Sequence, residues 1–122
     1  MTPTRPAHLH QGHKAEHRAC EHLIHHGLKL LDRNYRTPFG EIDLIMEQHD
    51  FIVFVEVRYR RSENYGTPAE TVDSRKQAKL RATARHYLQR HKRASKRPCR
   101  FDVVAVTGAG SEERVRWLQD AF

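Results

Sequence analysis

Two periodicities divide the chain. Between Gly12 and His26, Ala15, Ala19 and Leu23, with Cys20 and Ile24, recur at steps of three and four residues, the spacing of one helix face. Glu16 lies on that same stripe, an unusual place for a carboxylate. Gly27 follows as the residue that allows a left-handed stop. Beyond it the period shortens to two. Residues 28–36 (LKLLDRNYR), 41–47 and 51–60 predict three strands, with TPFG and Gln48–Asp50 as connections. A second helical pattern runs from residue 68 to about residue 91. Thr67 fits an N-cap, Pro68 the first helical position and Glu70 the return partner of a capping box. Its apolar stripe is narrow: Ala69, Val72, Leu80, Ala84, Tyr87 and Leu88. ASKRP reads as a short loop, and residues 100–106 and 113–118 predict two last strands.

The order is therefore αβββαββ. A three-strand meander followed by a crossover helix and further strands predicts an α/β fold, a mixed central sheet flanked by helices. If strands 51–60 and 100–106 are parallel neighbours, the crossover between them is right-handed. Residues 12–122 read as one domain. Residues 1–11, rich in Pro, His and Thr and without periodicity, read as a disordered arm. The histidines at 8, 10, 13 and 17 have no cysteine or carboxylate at metal-site spacing.

The strands carry charges where apolar residues are expected. Alternation puts Ile52, Phe54, Glu56, Arg58 and Arg60 on one face, and Phe51, Val53, Val55, Val57 and Tyr59 on the other. In 41–47, Glu41, Asp43, Ile45 and Glu47 share one face, and Ile42, Leu44 and Met46 the other. A two-residue turn at His49–Asp50 sets Gln48 opposite Phe51 and Asp43 opposite Glu56. Cβ atoms in such a pair sit ~5 Å apart. Two carboxylates this close repel unless a cation compensates. A divalent metal does so through hard oxygen ligands, and Arg58 adds positive charge. The bland alternative is a structural salt-bridge cluster.

Such a site suits phosphodiester hydrolysis. A Mg²⁺ or Mn²⁺ held by Asp43 and Glu56 lowers the pKa of a bound water and takes up phosphoryl charge. Arg58 supplies electrostatic support but is a poor general base, because it stays protonated. The charge distribution points to the same class of substrate. Residues 58–100 carry fourteen Lys/Arg against three Asp/Glu, whereas residues 1–57 carry six against eight. A basic block of that size is a phosphate-binding surface in outline. Its candidate contacts to nucleic acid, DNA foremost, are Arg60, Arg61, Arg75, Lys76, Lys79, Arg81 and Arg85, with the polar loop 61–67 beside the substrate. TGAGS lacks the lysine and following helix of a P-loop. Trp117 and Tyr87 read as core aromatics. No run of ~18 apolar residues is present, and the N-terminus lacks an apolar signal region. Two cysteines make no disulfide framework, so a cytoplasmic location is expected.

AEHRACEHL, LLDRNYRTPFGEIDLI, FIVFVEVRYR, YGTPAETVDSRKQAKL and CRFDVVAV together resemble the YraN family of small uncharacterised proteins, the UPF0102 group. The resemblance spans about residues 12–107. That family is similar to the restriction-endonuclease-like (PD-(D/E)XK) fold and, within it, to archaeal Holliday junction resolvases. The resemblance implies a catalytic Asp at Asp43, a Glu at Glu56 and a lysine position at Arg58, where this chain departs. It also implies a third acidic metal ligand at Glu16, a helical Gln at Gln77, Mg²⁺ or Mn²⁺ as cofactor, and a homodimer. The reading that follows is a metal-dependent endonuclease acting on branched or structured DNA. The alternatives are a DNA- or RNA-binding domain without catalysis, and an interaction protein whose basic helix meets an acidic partner.

Overall fold

A computed structural model describes residues 7–61 and 72–122, with side chains from residue 12 onward. Helix α1 (Ala7–His25) starts five residues before the expected Gly12. No breaker stands between Ala7 and Gly12, and a glycine inside a helix costs only about 1 kcal/mol. The expected arm thus lies partly in helix, and residues 1–6 fall outside the described residues. At the other end Gly27 adopts φ 91°. The Leu28 N–H donates to the Leu23 carbonyl, and that of Gly27 to the Ile24 carbonyl, both at 3.0 Å. This is the glycine stop that the pattern predicts. Ala15, Ala19, Cys20 and Leu23 are buried, whereas Ile24 is exposed. Leu23 and Leu28 already fill the space beneath the helix end, which turns Ile24 to solvent.

Strands β1 (Lys29–Thr37), β2 (Gly40–Gln48) and β3 (Phe51–Arg60) form an antiparallel meander. Helices α2 (Ser74–Arg90) and α3 (Lys92–Ser95) then lead to β4 (Cys99–Thr107) and, through a 3-10 turn, to β5 (Arg114–Leu118). The sheet order is β1-β2-β3-β4-β5. β3 and β4 run parallel from Ile52↔Cys99 to Arg60↔Thr107. The chain is thus an α/β fold with a five-stranded mixed sheet flanked by helices, consistent with the restriction-endonuclease-like arrangement.

The β2–β3 turn has two residues, with Gln48 opposite Phe51 as expected. His-Asp is a mediocre turn pair, and His49 takes φ 53°. Arg97 compensates from outside the hairpin. Its guanidinium donates to the carbonyls of His49 and Asp50 and to the Glu47 carboxylate. The start of α2 differs from expectation. Asp73 caps the helix, its Oδ1 accepting the Lys76 N–H at 2.9 Å. Its extended backbone and short side chain fit this role. Val72 precedes the helix and is buried. Thr67, Pro68, Glu70 and the loop 62–67 lie outside the described residues. ASKRP is part helix, because α3 includes Ala94, which is buried against the core.

The sheet buries both faces. On one, Leu80, Ala84 and Tyr87 of α2 pack on Ile45, Ile52, Phe54, Phe101 and Val103. On the other, Ala19, Cys20 and Leu23 of α1 pack on Leu44, Met46, Val53, Val55 and Val104. β3 obeys strict alternation. β2 does not: Ile42 joins the α2-side cluster although Leu44 and Met46 face α1. The irregularity falls at Asp43. Tyr87 is core, as expected, and Trp117 packs at the edge of the α1-side cluster. Among the described residues no helix is long and apolar enough to cross a membrane.

Asp102 on β4 is fully buried and ties the C-terminal end to the sheet. It accepts from Arg100 Nε at 3.0 Å, Trp117 Nε1 at 2.9 Å and the Asp120 N–H at 2.9 Å. Removing it leaves the mostly buried Arg100 guanidinium with only Gln48 as acceptor, and leaves two further donors without theirs. Asp102→Ala is expected to lose ~3 kcal/mol of stability in urea unfolding. Asp102→Asn keeps one acceptor oxygen and is expected to lose less.

Candidate active site

The β2–β3 ladder ends at Leu44↔Val55, while β2 stays paired to β1 as far as Gly40. β3 meanwhile continues beside β4 to Arg60. The two central strands therefore part at Asp43 and Glu56. The N–H of Val57 would be orphaned by the parting, but Asp43 Oδ2 accepts it at 2.8 Å. One side chain thus ends the ladder and satisfies the donor released by it.

The fork opens a cleft of about 400 Å³ on the α2 side. β2 contributes Gly40, Glu41 and Asp43, and β3 contributes Glu56. α2 and its cap contribute Asp73, Arg75, Lys76, Lys79 and Leu80. Glu56 is only 5% exposed. Lys76 Nζ lies 3.0 Å from Glu56 Oε1, and Arg58 Nε lies 3.9 Å from the same oxygen. Burial, and next the charge of Glu56, push the Asp43 carboxyl up to about 8, against the opposing pull of the Val57 N–H. The ionised form of Asp43 is thus disfavoured beside Glu56 unless a cation compensates.

The other expected residues are placed unevenly. Glu16 belongs to α1, which covers the opposite face of the sheet, and it does not line the cleft. It reaches the site indirectly. With its amide oriented to satisfy both neighbours, Asn34 donates to Glu16 Oε2 and Glu41 Oε1, each at 3.1 Å. Burial raises the Glu16 pKa, His13 opposes the rise, and Glu41 adds to it. Both Glu16 and Glu41 also contribute to raising Asp43. Gln77 is not at the cleft wall; its amide donates to the Val72 carbonyl at 2.9 Å and holds the entry to α2. Among the described residues no group of three or more His, Cys, Asp or Glu is arranged to hold a metal ion.

Of the basic residues, Arg75, Lys76 and Lys79 face the cleft. Arg60 and Arg85 are exposed. Arg61 borders a separate cavity of about 620 Å³ with Thr107, Gly108 and Arg114, which holds no buried carboxylate pair. Arg81 is directed elsewhere, its guanidinium over the rings of Phe101 and Phe122 at 5.2 and 5.5 Å. Sequence reasoning missed two participants, Glu41 and Asn34. Asn34 carried a signal, because asparagine is a poor strand residue, and it sits here at φ 53°. It also missed that Lys76 pairs with Glu56.

An acid whose folded pKa lies above its unfolded value binds more protons when folded. Its contribution to stability is fully present below the ordinary aspartate value of 3.8 and is lost as pH rises through about 8. Asp43→Asn removes this dependence. In urea unfolding across pH 4–9, the stability of Asp43→Asn relative to wild type is expected to rise with pH from about 4 and to level off above about 8.

The chain matches the family model described as "Uncharacterised protein family UPF0102" over residues 15–106. It is 48% identical over 119 residues to a UPF0102 protein of Nitrosococcus oceani, covering 97% of this chain and 96% of that one. A UPF0102 protein of Stutzerimonas stutzeri is 50% identical over 111 residues, covering 91% and 92%. One from Pseudomonas fluorescens is 46% identical over 116 residues, covering 95% of each. Asp43, Glu56 and the basic α2 all fall within the matched span, and the chain belongs to the UPF0102 family.

Proposed function

We propose that the protein is a divalent-metal-dependent endonuclease acting on branched or structured DNA. The observation that carries this reading is the pairing of partly buried Asp43 with buried Glu56 at the fork, facing three cations of α2 across one cleft. A Mg²⁺ or Mn²⁺ fits the donor set: Asp43 and Glu56 offer hard carboxylate oxygens, and their mutual repulsion calls for a cation between them. When bound, it would supply an activated water and neutralise phosphoryl charge. Asp43 and Glu56 would be its protein ligands. Glu16, expected as a third, does not line the cleft and meets Glu41 through the Asn34 amide.

The remaining chemistry belongs to the side chains themselves. Arg75 and Lys79 line the cleft wall, where they would meet the phosphates of a bound backbone. Lys76 and Arg58 both reach Glu56, so the positive charge at the lysine position is shared between strand and helix. Gln77 fixes the Val72 carbonyl and with it the angle at which α2 enters the site.

One observation favours a second reading. Lys76 already neutralises Glu56 at 3.0 Å, as suits a DNA- or RNA-binding surface without catalysis. A cleavage panel of flaps, forks, junctions and single strands, in Mg²⁺ and in Mn²⁺, separates the two. Cutting by the wild type that falls about 10²–10³-fold in Glu56→Ala supports the nuclease. Unchanged cutting in Glu56→Ala assigns the activity to another site. Salt-sensitive binding without cutting leaves the binding domain. In either case Lys79→Ala is expected to reduce the slope of log affinity against log salt by about 1.

A further inference from the structure

Among the described residues Phe39 is the most exposed large apolar side chain, at 55%, and it stands at the tip of the β1–β2 hairpin. Phe51, which is less exposed, has the Arg100 guanidinium 5.4 Å from its ring centre. A lone exposed phenylalanine is unremarkable on a surface. This one is held in place. Its N–H donates to Thr37 Oγ1 at 3.1 Å, and the Thr37 hydroxyl also reaches the Gly40 carbonyl at 3.3 Å and Thr83 Oγ1 on α2 at 3.4 Å. The next residue, Gly40, lies so close to α2 that a Cβ there would come within 3.3 Å of Thr83 Oγ1 and 3.5 Å of Lys79 Cβ. Its φ of 156° also disfavours any other residue. The tip is therefore docked on the helical turn that presents Lys79 to the cleft, and Gly40 and Glu41 form the cleft's lip.

From this we infer that Phe39 is a stacking platform for an unpaired nucleobase, set beside the phosphate-binding surface of α2. The inference rests on the nucleic-acid part of the proposed function. A paired base inside a helix has both faces covered by its neighbours. A base at a strand end, bulge or branch has a free face, and an aromatic ring accepts it with little regard to sequence. An exposed ring on a tip whose backbone is docked at Thr83 and Lys79 of α2 thus selects DNA with a local break in pairing over continuous duplex.

The test uses the full chain and two oligonucleotide probes of equal length. One carries 2-aminopurine at an unpaired position next to a duplex, and the other is fully paired. Wild type is expected to quench the unpaired 2-aminopurine on binding. Phe39→Ala is expected to lose the quench and bind that probe about tenfold more weakly, with duplex affinity unchanged. Phe39→Trp is expected to restore both. Equal quenching and affinity in Phe39→Ala overturn the platform and leave the proposed function standing. An equal loss on both probes also overturns it, assigning Phe39 a general contact. If wild type binds neither probe, the proposed function falls and the platform with it, leaving the tip as a site for a protein partner.

Discussion

The fold turns on the place where β2 and β3 stop pairing. A regular antiparallel ladder there would leave no cleft, and Asp43 would be one more polar side chain on a strand. Instead β3 is held from the other side by β4, in continuous parallel register up to Arg60↔Thr107. β2 stays with β1 up to Gly40. The gap opens between two strands that are each anchored elsewhere, so the site rests on a rigid frame. The capture of the Val57 N–H by Asp43 makes the parting tolerable in backbone terms. The cost is a carboxyl group close to Glu56 and short of water, which shows in its raised pKa.

That electrostatic load explains how the surrounding charges are arranged. α2 covers the face on which Glu56 projects, and it brings Lys76 to the carboxylate. α1 covers the other face, so Glu16 can influence Asp43 only across the sheet edge. Asn34 bridges this gap, its amide separating Glu16 from Glu41. Arg36 adds a counter-charge on Glu41 at 3.4 Å. The carboxylates thus form two groups. Asp43 and Glu56 meet in the cleft, and Glu16 and Glu41 flank it through an amide.

Much of this was legible because β periodicity is a strong local signal. The gap between Met46 and Ile52 admits few registers that keep both apolar faces buried, and the one with Gln48 opposite Phe51 formed. The element order followed from the same pattern, and the parallel β3–β4 pairing, open in the sequence, was formed. What was not legible depends on packing between elements. Glu16 stood out as a carboxylate on an apolar stripe, but the sequence does not say which face of the sheet a helix covers. The expected start of α2 at Thr67-Pro68 lies outside the described residues, and the Asp73 cap before Ser74, an equally good local start signal, was overlooked. Lys76 read as one cation among many. Its pairing with Glu56 depends on the rotation of α2 about its axis, fixed by Leu80, Ala84 and Tyr87 in the core.

The division of positive charge between Arg58 and Lys76 is then a consequence of geometry. A planar guanidinium on β3, two residues from Glu56, reaches the carboxylate only at 3.9 Å, because side chains at i and i+2 of a strand stand side by side. An ammonium on a long flexible stem from the facing helix reaches it at 3.0 Å. Arginine stays charged under all ordinary conditions and suits a fixed electrostatic role. Lysine carries its charge on a flexible stem that can take other rotamers. The strand thus supplies permanent charge and the helix adjustable charge. The fork thus sets two carboxyl groups together while Lys76 pairs with Glu56 from the facing helix.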